Sequence, residues 1–92
     1  MQSDSDRGWV VYILECADGT LYTGITNRLT HRLAAHTAGK GGKYTRGRDP
    51  FTLLYAEPCC DRKSASSREY GIKQLSRQDK YRLINEEKVT NP

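Results

Sequence analysis

The chain has 92 residues, with 15 Lys/Arg against 11 Asp/Glu for a net charge of +4, three cysteines and six tyrosines. A chain of this length buries only roughly 60–65% of its unfolded surface, which suits one domain with a modest core and leaves no room for a second folded unit. No run reaches the roughly 18 apolar residues of a membrane span. The polar start MQSDSDRG does not read as a secretory signal, and an odd cysteine count without any CxxC spacing argues against a disulfide framework or a zinc site, so a reducing, cytoplasmic setting is expected.

Residues 1–8 read as a flexible tail, and 9–16, WVVYILEC, as a β-branched and aromatic strand. ADG is a turn and TLYTGIT a second strand. In NRLTHRLAAHTAG, Asn27 is an N-cap candidate, Leu29 and Leu33 lie one turn apart, and Gly39 is a stop, which predicts a helix. KGGKYTRGRDP is a glycine-rich basic loop closed by Pro50, and FTLLYAEPCC is a third strand with Pro58 at its end or on an edge. Asp61 caps a helix through RKSASSREYGIKQL, and the Ser76/Asp79 spacing is a capping-box pattern that opens another helix to about Glu87. The expected fold is α/β of the α+β type, ordered β-β-α-β-α-α, with a three-stranded, mainly antiparallel sheet flanked by helices. It forms a single domain over residues 9–87, followed by a short tail over 88–92.

The hairpin carries a tyrosine on each arm, and loop length decides where they point. A two-residue Asp18-Gly19 turn would pair Tyr12 with Ile25 and set Tyr12 and Tyr22 on opposite faces. A three-residue Ala17-Asp18-Gly19 loop, with Gly19 left-handed, pairs Tyr12 with Gly24 and Tyr22 with Leu14. In that register the tyrosines share a face and Gly24 leaves space opposite the Tyr12 ring. The other face then collects Val11, Ile13, Leu21 and Ile25, a coherent apolar set, which favours the three-residue loop.

Between Arg28 and Arg48 lie Arg28, Arg32, Lys40, Lys43, Arg46 and Arg48 with no acid, a one-signed field that attracts polyanions or is simply a solvated surface. Arg28, Arg32 and His36 recur every four residues and share a helix face. Arg32 borders the buried stripe. It is either a snorkelling surface residue or a guanidinium held for a phosphate. On the later helix Ala65, Ile72 and Leu75 suggest the buried stripe, with Glu69 on or beside it. A bridge from Glu69 to Arg68 or Lys73 is not expected. The open readings are a bridge to Arg32 or a divalent-metal ligand. His31 and His36 do not converge, Cys59-Cys60 reads as packing, and GKGGKYTRG lacks the spacing of a nucleotide-triphosphate loop.

These residues, in this order, resemble the GIY-YIG nuclease superfamily. Val10-Val11-Tyr12 and Tyr22-Thr23-Gly24 stand at the two triplets, Arg32 lies eight residues after Gly24, and Glu69 lies in a later helix. DGTLYTGIT, GKGGKYTRGR and REYGIKQLSR are similar to segments of its small stand-alone bacterial branch, the YhbQ-like proteins, and the similarity covers roughly residues 9–85. The first triplet keeps only its tyrosine, the second has Thr23 for isoleucine, and Asn85 is the nearest candidate for a supporting asparagine.

The resemblance implies an endonuclease acting on nucleic acid, DNA favoured with RNA kept open, with one Mg²⁺ or Mn²⁺ and no small-molecule cofactor. A shallow sheet face with an aromatic and a basic loop suits single-stranded or distorted strands better than intact duplex. The resemblance also implies a monomer or weak dimer without membrane attachment, and DNA repair as one setting. Glu69 would hold the metal, and Arg32 would neutralise charge on the phosphorane. Tyr12 would orient or deprotonate water, Tyr22 would bond to water or phosphate, and His36 would receive the proton. Arg32 or the metal would lower the Tyr12 pKa, as a tyrosine base needs. Arg28, Lys40, Lys43, Tyr44, Thr45, Arg46 and Arg48 would hold the strand, Tyr44 by stacking. Gly19 and Gly24 would be structural. The competing reading is a non-catalytic nucleic-acid-binding module using the same basic face.

Overall fold

A computed structural model describes residues 8–37 and 50–90, with side chains for 8–36 and 50–86. The order is β1 (Trp9–Glu15), β2 (Leu21–Thr26), α1 (Leu29–Thr37), β3 (Thr52–Cys59), α2 (Arg62–Lys73) and α3 (Arg77–Thr90), the β-β-α-β-α-α sequence expected. The sheet is fully antiparallel in the order β2-β1-β3. β1 is central and apolar on both faces, so Val10 through Leu14 are all buried. Pro58 falls inside β3, an edge strand, where a missing N–H costs little.

The hairpin closes as the three-residue loop requires. Cys16 N–H bonds to Thr20 C=O at 2.9 Å and Gly19 N–H to Cys16 C=O at 2.9 Å. Gly19 sits at φ 85°, where a side chain would be strained, and Asp18 Oδ1 accepts the Thr20 N–H at 3.0 Å. Tyr12 then faces Gly24 and Leu14 faces Tyr22. One face of the sheet packs Val11 and Ile13 with Tyr55, Ile72 and Ile84, with Leu21 and Ile25 against them. The other packs Val10, Tyr12 and Leu14 with Leu29, joined by Tyr22, Leu33, Phe51 and Ala56. α2 and α3 thus cover one face and α1 the other.

Several local details differ from the expected ones. Leu14 pairs with Leu53 while Ile13 pairs with Tyr55, so Leu54 is an extra residue in β3, a bulge that the residue pattern does not announce. At the start of α1, Thr26 Oγ1 accepts the Arg28 N–H and Arg28 C=O accepts the first helical bond from Arg32 N–H. The boundary residue is therefore Arg28, one later than Asn27. α2 ends at Lys73, so Leu75 lies past the helix, and Ala65 and Ile72 alone form its fully buried stripe. α3 runs on to Thr90. Both expected caps are present: Asp61 Oδ1 accepts from Ser64 N–H at 2.8 Å, and Ser76 Oγ accepts from Asp79 N–H at 3.1 Å.

Candidate active site

The shared tyrosine face is the start of a ring cluster. Tyr12 and Tyr22 centroids are 6.3 Å apart. His36, one turn after Arg32 on α1, stands edge-on to both, at 6.1 Å from Tyr12 and 5.4 Å from Tyr22. Phe51 closes the cluster behind His36 at 5.8 Å. Gly24 makes this packing feasible. A Cβ there would stand 2.7 Å from Tyr12 Oη, 2.9 Å from Tyr12 Cζ and 3.0 Å from Tyr22 Cε2. These atoms belong to rigid rings, and Tyr12 is fully buried, so they have little room to yield.

Tyr12 Oη lies 3.0 Å from His36 Nε2, a buried contact between groups 24 residues apart in the chain. Arg32 also hydrogen-bonds the Tyr12 side chain, and the charges of Tyr22 and Glu69 reach it, so the three other family-motif side chains and His36 act on one hydroxyl. Burial pushes the Tyr12 phenol up to about 12, and the Arg32 hydrogen bond only partly offsets this. The lowering expected from Arg32 is present, but the net shift is upward. Arg32 does favour the phenolate, but desolvation of a fully buried ring outweighs it. His36 moves in the complementary sense. Burial, then the Arg32 charge, hold its imidazole below the ordinary 6.5, which keeps it neutral and able to accept a proton through Nε2.

Glu69 stands on α2 with its side chain 23% exposed, and its Oε2 lies 3.2 Å from Lys73 Nζ. That bridge was not expected, yet residues four apart on a helix are neighbours, and Glu N-terminal to Lys is the favourable order. Arg68, by contrast, turns away to Glu57, whose Oε1 accepts from its Nε at 2.9 Å. No group of three or more His, Cys, Asp or Glu that could hold a metal occurs among the described residues. A lone, partly exposed carboxylate nevertheless fits Mg²⁺ or Mn²⁺, because Mg²⁺ typically keeps several waters and binds through one or two carboxylates plus substrate phosphates.

Of the remaining candidates, Arg28 is exposed at the start of α1, and Asn85 is exposed on α3. Lys40, Lys43, Tyr44, Thr45, Arg46 and Arg48 lie outside the described residues. Phe51 is not among the expected site residues, and Lys73 enters the sequence reading only as an unexpected partner for Glu69. Only the four-residue spacing from Glu69 could have flagged Lys73, and nothing local flags Phe51.

The model of the GIY-YIG catalytic domain matches residues 8–82. The chain belongs to the GIY-YIG family. It is 53% identical over 83 residues to a UPF0213 protein of Desulfotalea psychrophila, covering 88% of this chain and 76% of that one. It is also 53% identical over 79 residues to a UPF0213 protein of Oceanobacillus iheyensis, covering 86% and 92%. Among solved structures it is similar to the solution NMR structure of the UPF0213 protein BH0048 of Bacillus halodurans, at 45% identity and a TM-score of 0.56, covering 85% of this chain and 83% of that one. The expected small stand-alone branch is thus the one its relatives occupy. As a GIY-YIG domain it is of a nuclease type, whose substrate is nucleic acid. No helix among the described residues is long and apolar enough to cross a membrane.

Proposed function

We propose that this GIY-YIG protein is an endonuclease that hydrolyses phosphodiester bonds, DNA in preference to RNA and single-stranded or distorted strands in preference to intact duplex, with one divalent metal on Glu69. The observation that carries the reading is the Tyr12–His36 hydrogen bond, placed under Arg32 and beside Tyr22 within electrostatic reach of Glu69. Any buried tyrosine hydroxyl needs a hydrogen-bond partner; a neutral imidazole is a partner that can also take the proton.

Tyr12 stays protonated at neutral pH. It therefore orients the attacking water and, as the water loses its proton, passes its own hydroxyl proton to His36 Nε2 while taking the water's. The imidazole, kept neutral by burial and Arg32, is the acceptor. Arg32 faces the charge that builds on the phosphoryl oxygens, and Tyr22 holds the water or a phosphoryl oxygen from the second strand. Glu69 would hold Mg²⁺ or Mn²⁺, which when bound polarises the phosphate and stabilises the leaving 3′ oxygen.

The test is cleavage of labelled single-stranded DNA, duplex, branched DNA and RNA with and without Mn²⁺ by wild type and Glu69→Ala. Metal-dependent cleavage that Glu69→Ala lacks, with nucleic-acid binding retained, is expected. Equal cleavage by both proteins would assign the activity to a contaminant. Binding without cleavage in any arm would leave the non-catalytic module.

A further inference from the structure

A cavity of about 240 Å³ opens on the outer side of β2, lined by Thr20, Leu21, Tyr22, Thr23, Lys73 and Lys80. Two ammonium groups line it from different helices, one from the last residue of α2 and one from the first turn of α3. Lys73 is held by Glu69. Lys80 is half-buried and has no acidic partner among the described residues. The nearby acids are engaged elsewhere: Asp79 pairs with Arg82 at 3.5 Å, and Glu15 accepts from the Tyr81 hydroxyl at 2.9 Å. Two like charges on one cavity, one of them unneutralised, call for an anion.

The cavity wall carries a second, independent sign. Thr23 is 4% exposed, and its Oγ1 is the one buried side-chain polar atom without a hydrogen-bond partner among the described residues. Leaving such a group unsatisfied costs about 1–3 kcal/mol. Its position is the middle of the second triplet, opposite Ile13 on an otherwise apolar face. Valine would fill that place without the cost, so packing alone does not account for the hydroxyl. Tyr22 belongs to both the ring cluster and the cavity wall, so the cavity opens directly beside the proposed reaction centre. At about 30 Å³ per water, the volume holds a phosphodiester group with some bound water.

We propose that this cavity is a phosphate subsite. It takes a backbone phosphate of the nucleic-acid strand adjacent to the scissile one, with Lys80 and Lys73 as its cations and Thr23 Oγ1 as a hydrogen-bond donor. The position next to the scissile phosphate rests on the nuclease reading; capture of a strand phosphate does not. The subsite gives the strand a grip across the β2 edge from α1, so a strand can be held on both sides of Tyr22.

The experiment is fluorescence anisotropy of a labelled single-stranded oligonucleotide in chelator, where no turnover occurs, with wild type, Lys80→Gln, Thr23→Val and, as a control, Lys63→Gln. Lys63 is an exposed lysine bordering a separate hollow with Pro58, Cys60 and Arg68. Lys80→Gln should weaken binding about 3- to 10-fold and flatten the log affinity against log salt slope by about 0.7, the share of one single-strand phosphate contact. Thr23→Val should fold at least as stably and bind more weakly, and Lys63→Gln should match wild type. Wild-type affinity and slope in Lys80→Gln, or wild-type affinity in Thr23→Val, would overturn the subsite. If wild type fails to cleave with Mn²⁺ while Lys80→Gln still loses affinity, the nuclease reading falls and the subsite stands. If cleavage is metal-dependent while Lys80→Gln binds normally, the reverse holds.

Discussion

Two tyrosines on opposite faces of the same sheet have phenols pushed up to about 12, and under the proposed mechanism only Tyr12 takes part in the chemistry. Tyr12 lies on the α1 face, against a neutral imidazole and a guanidinium. Tyr55 lies on the α2 face, where burial raises it, its hydrogen bond to Glu57 adds to this, and Arg68 opposes. The Tyr55 proton already rests on a carboxylate that Arg68 neutralises, so the trio is complete and needs no ligand. The Tyr12 hydroxyl meets His36 Nε2, which in the tautomer protonated on Nδ1 is a base that can still take a proton. A raised pKa therefore marks burial, not function. What separates the two is whether the partner can change protonation state near neutral pH.

The largest effect that should separate the faces comes from glycines. Gly24→Ala drives a Cβ into both site tyrosines. It should cost about 1–3 kcal/mol of stability and lower cleavage by about 100-fold or more through loss of the Tyr12–His36 geometry. Gly71→Ala, on α2 with nothing within 4 Å of its Cβ, should stabilise by about 0.5–1 kcal/mol and leave cleavage unchanged. Denaturant melts and a cleavage assay on both variants check the pair, and equal loss of activity would erase the distinction.

A smaller effect should separate them by pH. His36 titrates below its ordinary 6.5 in the folded protein, so the unfolded chain binds more protons in the window just below that value. Its contribution is complete above 6.5 and is lost as pH falls through the folded pKa. Burial tends to raise Glu57, but the hydrogen bonds from Tyr55 and Arg68 prevail and hold it below 4.5. Its contribution has the same sign but begins to fall only below 4.5. Chemical denaturation across pH should show His36→Gln flattening the upper window and Glu57→Gln the lower one. A swap of windows would contradict the assignments.

Much of the α1 face was legible because its determinants are local. Loop length and a glycine able to take a positive φ fix the hairpin register, and the register fixes which tyrosines meet. The four-residue spacing of Arg32 and His36 did the same for α1. What was not legible is tertiary. The sign of the Tyr12 shift depends on how deeply Leu29, Leu33 and Phe51 bury it. The Leu54 bulge depends on the fit of β3 to a central strand buried on both faces. Lys73 on Glu69 follows from four-residue spacing, which sets the two side chains together on the helix surface, whereas Arg68, the adjacent residue, turns to Glu57. Thr23 stands for isoleucine in the second triplet, and only the folded chain shows that its hydroxyl is buried without a partner on the wall of a cavity that Lys80 also lines.

The most direct measurement is single-turnover cleavage of labelled single-stranded DNA with Mn²⁺ by wild type, Tyr12→Phe and Tyr55→Phe, with oligonucleotide affinity measured in parallel. The proposed mechanism predicts that Tyr12→Phe loses about 10²- to 10⁴-fold in rate at unchanged affinity. Tyr55→Phe should keep its rate and lose about 1 kcal/mol of stability. Cleavage by Tyr12→Phe at the wild-type rate, or an equal loss in Tyr55→Phe, would contradict it.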